Sequence, residues 1–101
     1  MLGPKPSLTR KTVHYAGRVQ GVGFRYTTVR VAGRHAVSGF VQNLLDGRVK
    51  VVAEGEHAAV DAFIEDVGRT LSRYIQDRTV QGAEGTGEFG PPRPGALEVR
   101  Y

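Results

Sequence analysis

The stretch Gly17–Arg25, Gly-Arg-Val-Gln-Gly-Val-Gly-Phe-Arg, holds the residue types that a phosphoryl group requires. Gly21 and Gly23 allow positive φ without a steric penalty, so successive backbone N–H groups can turn toward one point and form an anion nest. A helix starting directly after them would add its first N–H groups, which have no internal acceptors, and the positive end of its dipole. Arg25 would then lie in the first helical turn, where a cation costs the helix a few tenths to about 1 kcal/mol. An anion held between the two removes that conflict. Without the anion, the same residues make an ordinary strand-to-helix turn. Tyr26 stands where a dinucleotide-binding Gly-x-Gly-x-x-Gly has its third glycine, and no Gly-Lys-Ser/Thr exists, so neither nucleotide loop is present.

The second informative segment is Gly39–Gly55, in which Asn43 closes a short apolar run just before Leu44-Leu45-Asp46-Gly47. An asparagine there offers both a donor and an acceptor, and it also commonly caps or turns the backbone. Other polar residues carry less. His14, His35 and His57 lie in different elements without ligand spacing, so no metal site is expected. Glu65 and Asp66 read as solvated surface on the polar side of a helix. Ser38, Ser72 and the threonines have no evident partner base.

The elements that must position these residues follow from periodicity. Val13, Tyr15, Gly17 and Val19 alternate with Thr12, His14, Ala16 and Arg18, which predicts a strand over 11–19. From Phe24 the spacing of Val22, Tyr26 and Val29 becomes helical, ending near His35. Ser38–Asn43, Asp-Gly and Arg48–Glu54 form a hairpin pattern. Val60, Phe63, Ile64, Val67, Leu71, Tyr74 and Ile75 share one face of a second helix. Arg78–Glu84 is a weak strand candidate, Gly85–Gly95 a Gly/Pro-rich loop, and Ala96–Tyr101 a closing strand. The order is βαββαβ, with a further short edge strand allowed: an α+β ferredoxin-like sandwich, an antiparallel sheet with two helices on one face. Residues 1–10 read as a flexible tail and 11–101 as a single domain.

At 101 residues the chain can bury one core and no more. The absence of cysteine excludes a disulfide framework, a thiolate metal site and a Cys nucleophile. No apolar run is long enough for a membrane span or a signal peptide, so the expectation is a soluble, cytoplasmic protein without a membrane partner. The net charge of +4 divides unevenly: residues 1–45 carry +7 with no acid, and 46–101 carry −3. Such asymmetry directs an anionic partner to the first half.

Arg18-Val19-Gln20-Gly21-Val22-Gly23-Phe24-Arg25 resembles the first signature of the acylphosphatase family. Gly39-Phe40-Val41-Gln42-Asn43, with Asp46-Gly47-Arg48-Val49 and Glu54-Gly55 after it, resembles the second, and Arg25 and Asn43 stand eighteen positions apart, as in that family. The similarity covers about residues 11–76. LEVRY looks like the family's last strand, whereas 77–95 resembles nothing diagnostic, and Phe40 stands where an aromatic residue, often Trp, is usual. The resemblance implies hydrolysis of a carboxyl-phosphate anhydride to a carboxylate and inorganic phosphate, without metal or cofactor. It implies that Arg25 binds the phosphoryl group, that Gln20, Gly21, Val22, Gly23 and Phe24 form the phosphate cradle with it, and that Asn43 orients the attacking water. The implied partners are a small acyl phosphate and inorganic phosphate, as product and competitive inhibitor, with a monomeric protein and no nucleic acid. Two alternatives remain at this point: a non-catalytic module for a phosphorylated ligand, and an RNA-binding ferredoxin-like module, the latter opposed by Phe24 and Tyr26 falling at a helix start.

Overall fold

The computed structural model describes residues 7–101. Strand β1 (Thr9–Gly17) buries Val13 and Tyr15 completely, as the alternation predicts. It begins two residues earlier than expected, because Thr9 and Arg10 pair with Gly55 and Glu54 and therefore belong to the sheet and not to a tail. Residues 1–6 of the expected tail lie outside the described residues. Helix α1 (Phe24–Ala32) stops short of His35, and the chain continues in tighter bonding: Gly33, Arg34 and His35 donate to Arg30, Val31 and Ala32.

Strands β2 (Ser38–Asn43) and β3 (Val49–Gly55) form the hairpin that Asp-Gly signals. At its tip Gly47 takes φ 94°, and the Asp46 carboxylate accepts from the backbone N–H and the side chain of Arg48. Helix α2 (His57–Thr70) buries Val60, Phe63, Ile64 and Val67 on its apolar face. The expected continuation through Tyr74 and Ile75 is not helical. Leu71 caps the helix, and Tyr74 and Ile75 then bond back to Leu71 and Ser72 in a turn that keeps the same side chains on the core. Apolar spacing survives where the helix does not. Asp66, expected as solvated surface, is only 9% exposed: it accepts from His35 at 2.8 Å and Arg34 at 3.1 Å and so fastens α1 to α2.

The weak candidate is the long strand β4 (Ile75–Glu84), and the C-terminal segment is β5 (Ala96–Arg100). The sheet order is β4-β1-β3-β2-β5. The first four strands make the antiparallel ferredoxin-like arrangement, with β4 and not the C-terminal strand closing it beside β1. β5 forms the edge opposite β4 and runs parallel to β2, so the complete sheet is mixed and not wholly antiparallel. The core lies between the helices and the face formed by Val13, Tyr15, Val41, Val49, Val51 and Ala53.

Residues 85–95 must carry the chain from one edge of the sheet to the other, and they do so over the face opposite the helices. The buried Glu54 carboxylate accepts from the N–H groups of Thr86 and Gly87 at 3.0 and 2.9 Å and from Arg10 at 2.6 Å. Phe89 rests on Phe40 edge to face at 5.7 Å, and Ser38 donates to Gly90. These anchors sit at the Ser38 end of β2, leaving the Asn43 end clear.

Candidate active site

β1 and β2 both run antiparallel to β3, and β5 runs parallel to β2. The carboxyl ends of β1, β2 and β5 therefore meet at one end of the sheet, where α1 begins. Glycines shape the approach. At Gly17 a Cβ would lie 2.5 Å from the Tyr74 carbonyl oxygen, so only glycine lets β1 run this close to the turn after α2. Arg18 then donates its N–H to Tyr74 at 2.9 Å and starts the loop.

Gly21 and Gly23 have φ of 78° and 77°, the left-handed conformation expected of a nest. Gly23 is the N-cap of α1, with no side chain capping the helix and no acid in its first turn. The first helical bond runs from Thr27 N–H to Gly23 at 3.0 Å, so the N–H groups ahead of Thr27 have no helical carbonyl within reach. Phe24 fixes this end of the helix: it is 2% exposed and its ring packs on Tyr15 at 5.3 Å. Burial pushes the Tyr15 phenol up to about 12, against the pull of Arg78, and its hydroxyl has no partner.

A cavity of about 120 Å³ opens at this point, lined by Val19, Gly21, Gly23, Phe24, Arg25, Tyr26 and Asn43. The structure thus brings together Arg25, Asn43, Gly21, Gly23 and Phe24 from the expected set. Val22 and Gln20 do not line the cavity. Gln20 instead spends its side-chain amide on the hairpin, donating to Leu44 O at 2.8 Å and Arg48 O at 3.0 Å and so tying the loop to the segment that carries Asn43. Asn43 Oδ1 is buried with no hydrogen-bond partner in the protein. A buried amide oxygen left without a donor is costly unless something else supplies one, and Asn43 lines the same cavity as Arg25.

Arg25 has no carboxylate within ion-pair distance among the described residues, and its guanidinium lies 4.8 Å from the Tyr101 ring. Sequence reasoning missed both Tyr101 and Tyr26. Tyr101 could be found only from pairing: Gln42 stands beside Arg100 in the parallel register, which puts the next residue level with Asn43. Tyr26 looked like a core position of α1 from its spacing, yet it is 72% exposed.

The acylphosphatase family model matches residues 11–90. An acylphosphatase from Nostoc sp. is 42% identical over 92 residues, spanning 86% of this chain and 87% of that protein. One from Anaeromyxobacter sp. is 42% identical over 86 residues, spanning 83% and 91%. The crystal structure of acylphosphatase from Bacillus subtilis superposes with a TM-score of 0.76 at 31% identity, covering 92% of this chain and 99% of that one. Matched in sequence and in fold over most of its length, the chain belongs to the acylphosphatase family and is an enzyme that hydrolyses acyl phosphates.

Proposed function

We propose that Arg25 and the nest at Gly21–Phe24 hold the phosphoryl group, and that Asn43 orients the water that attacks it. The observation that carries this reading is the shared cavity, lined by Arg25, which has no carboxylate partner among the described residues, by two left-handed glycines, and by Asn43, whose Oδ1 has no hydrogen-bond partner. The guanidinium fork takes two phosphoryl oxygens at once, and the N–H groups before Thr27 take the remaining charge. Gln20 contributes by holding the loop against the hairpin, so that the phosphoryl site and the water site keep a fixed separation.

The chemistry suits a site with no titrating group. A carboxylate leaving group has a conjugate acid of pKa about 4–5, so it departs without a general acid. What is left is to hold the phosphoryl group, neutralise its oxygens and keep a water in line, which is positioning plus electrostatics. With its oxygen as acceptor, Asn43 can fix the water but cannot take its proton at neutral pH, so the proton passes to the phosphate or to solvent. Inorganic phosphate, sharing the phosphoryl oxygens, binds the same cradle and competes with substrate.

The test is phosphate release from a small acyl phosphate, in EDTA, by wild type, Arg25→Ala and Asn43→Ala. Arg25→Ala loses both turnover and phosphate inhibition. Asn43→Ala lowers kcat by about 10²-fold, the typical cost of one preorganised group, while phosphate inhibition weakens by less than about threefold. Equal losses of turnover and phosphate binding in Asn43→Ala would make it a binding residue and overturn its role with water.

A further inference from the structure

Among the described residues, the large hydrophobic side chains left exposed are Tyr26 at 72%, Leu45 at 110%, Val80 at 43% and Tyr101 at 87%. Val80 lies on the edge strand β4, away from the others. Tyr26 lines the cavity, Tyr101 packs on Arg25, and Leu45 is at the tip of the hairpin that Gln20 ties to the loop. Single exposed apolar residues are ordinary, so the two that count here are the tyrosines that meet the site itself, one in the cavity lining and one on the Arg25 guanidinium.

The size of the cavity says which part of the substrate meets them. At about 120 Å³ the cavity is well below the roughly 300–1,000 Å³ of a pocket that encloses a whole small-molecule ligand, so it suits the phosphoryl end of the substrate. The acyl group has to leave the cavity across its rim. Resting on the roles proposed above for Arg25 and Asn43, we propose that Tyr26 and Tyr101 form a platform for the acyl group, and that the preferred substrates are acyl phosphates with an apolar chain or ring. One face of the Tyr101 ring is taken by the guanidinium, and its exposed remainder meets the first carbons beyond the carbonyl. No covalent step is added: the platform changes which mixed anhydride is held in place while water attacks phosphorus and the carboxylate leaves.

Acetyl, butanoyl and hexanoyl phosphates test this directly, because the parent acids are nearly equal in strength and the series varies contact and not leaving group. Burial of a methylene raises kcat/KM by up to about fourfold, so partial contact along four added carbons gives roughly tenfold or more from acetyl to hexanoyl. The Tyr26→Ala/Tyr101→Ala double variant should bring that ratio to within about threefold of one, and Tyr26→Phe/Tyr101→Phe should keep it. Succinyl phosphate, with four carbons and a terminal charge, should be poorer than butanoyl phosphate. A flat wild-type series, a slope that survives in the double alanine variant, or succinyl phosphate matching butanoyl phosphate would each overturn the platform. Alkylphosphonate inhibitors of the same chain lengths give the slope without turnover. If Arg25→Ala and Asn43→Ala turn the acyl phosphates over as fast as wild type, the roles of Arg25 and Asn43 fail, while the inhibitor slope still decides the platform.

Discussion

Arg25 combines two demands that a lysine cannot meet together. Its cation sits at a helix N-terminus, where the dipole disfavours it, with no carboxylate near enough to compensate among the described residues. A planar fork resolves this by bridging two oxygens of a bound anion, and its flat face can lie along the Tyr101 ring 4.8 Å away. Arg25→Lys keeps the charge and loses both the fork and the stacking. The expected result is a fall of about 10²-fold or more in kcat/KM, measured by phosphate release, with phosphate inhibition weakened in parallel. Activity within about threefold of wild type would show that charge alone suffices. The residue pattern made this position legible, because the two glycines and the arginine lie within five residues and their physics is local. Tyr101 was illegible for the opposite reason: it reaches Arg25 only after β5 has paired with β2, seventy-six positions away in sequence.

At the level of elements, the site depends on the loop and the hairpin keeping station, and Gln20 is the side chain that joins them. Its two bonds go to backbone carbonyls on either side of the hairpin turn, Leu44 and Arg48, so it holds the turn and not a single residue. Gln20→Ala removes the tie without touching the cavity lining. Because a displacement of about 1 Å between reacting groups can cost up to 10²-fold, turnover should fall by about tenfold. Gln20→Glu should do no better, since it presents oxygens to two carbonyls. Wild-type rates in Gln20→Ala would mean that packing alone aligns the two segments. The elements themselves were legible where one face is buried: β1, the hairpin and most of α2 follow from apolar spacing. β4 was faint because it is an edge strand exposed along nearly its whole length, held to β1 by backbone pairing that leaves no mark on side-chain pattern. The end of α2 was overrun because Tyr74 and Ile75 keep contact with the core through a turn, and periodicity records the contact, not the backbone that makes it.

For the whole molecule, two buried groups are expected to bound the pH range of stability, one from each side. Burial alone would push the Glu54 carboxyl up, but the N–H of Thr86, the Arg10 side chain and the N–H of Gly87 outweigh it and hold it below the usual carboxylate range. With a depressed folded value, its contribution is present above the unfolded pKa of about 4.3 and disappears as pH falls through the folded value. Glu54→Gln should be less stable than wild type at pH 7 and lose less between pH 7 and 3 in thermal unfolding. An identical acid dependence would place the acid limit elsewhere, as in Asp66, whose carboxyl His35 and Arg34 also hold low. Tyr15 acts at the other end. Its folded value of about 12 lies above the unfolded one near 10, so the neutral phenol favours the fold below pH 10 and that contribution is lost progressively toward pH 12, by up to about 2–3 kcal/mol. Tyr15→Phe abolishes this titration and also removes a hydroxyl that is buried without a partner, so at pH 7 it should be as stable as wild type or gain up to about 1 kcal/mol. Urea unfolding at pH 7 and 11 separates the two effects: the curves for Tyr15→Phe and wild type should lie close at pH 7 and part at pH 11, with the variant the more stable. Because the ring, and not the hydroxyl, supports Phe24 and with it the start of α1, turnover at neutral pH should be retained. A variant that unfolds as readily as wild type at pH 11 would show that the phenol is not the group that fails there, and a loss of turnover at pH 7 would give the hydroxyl a part in holding the phosphate loop.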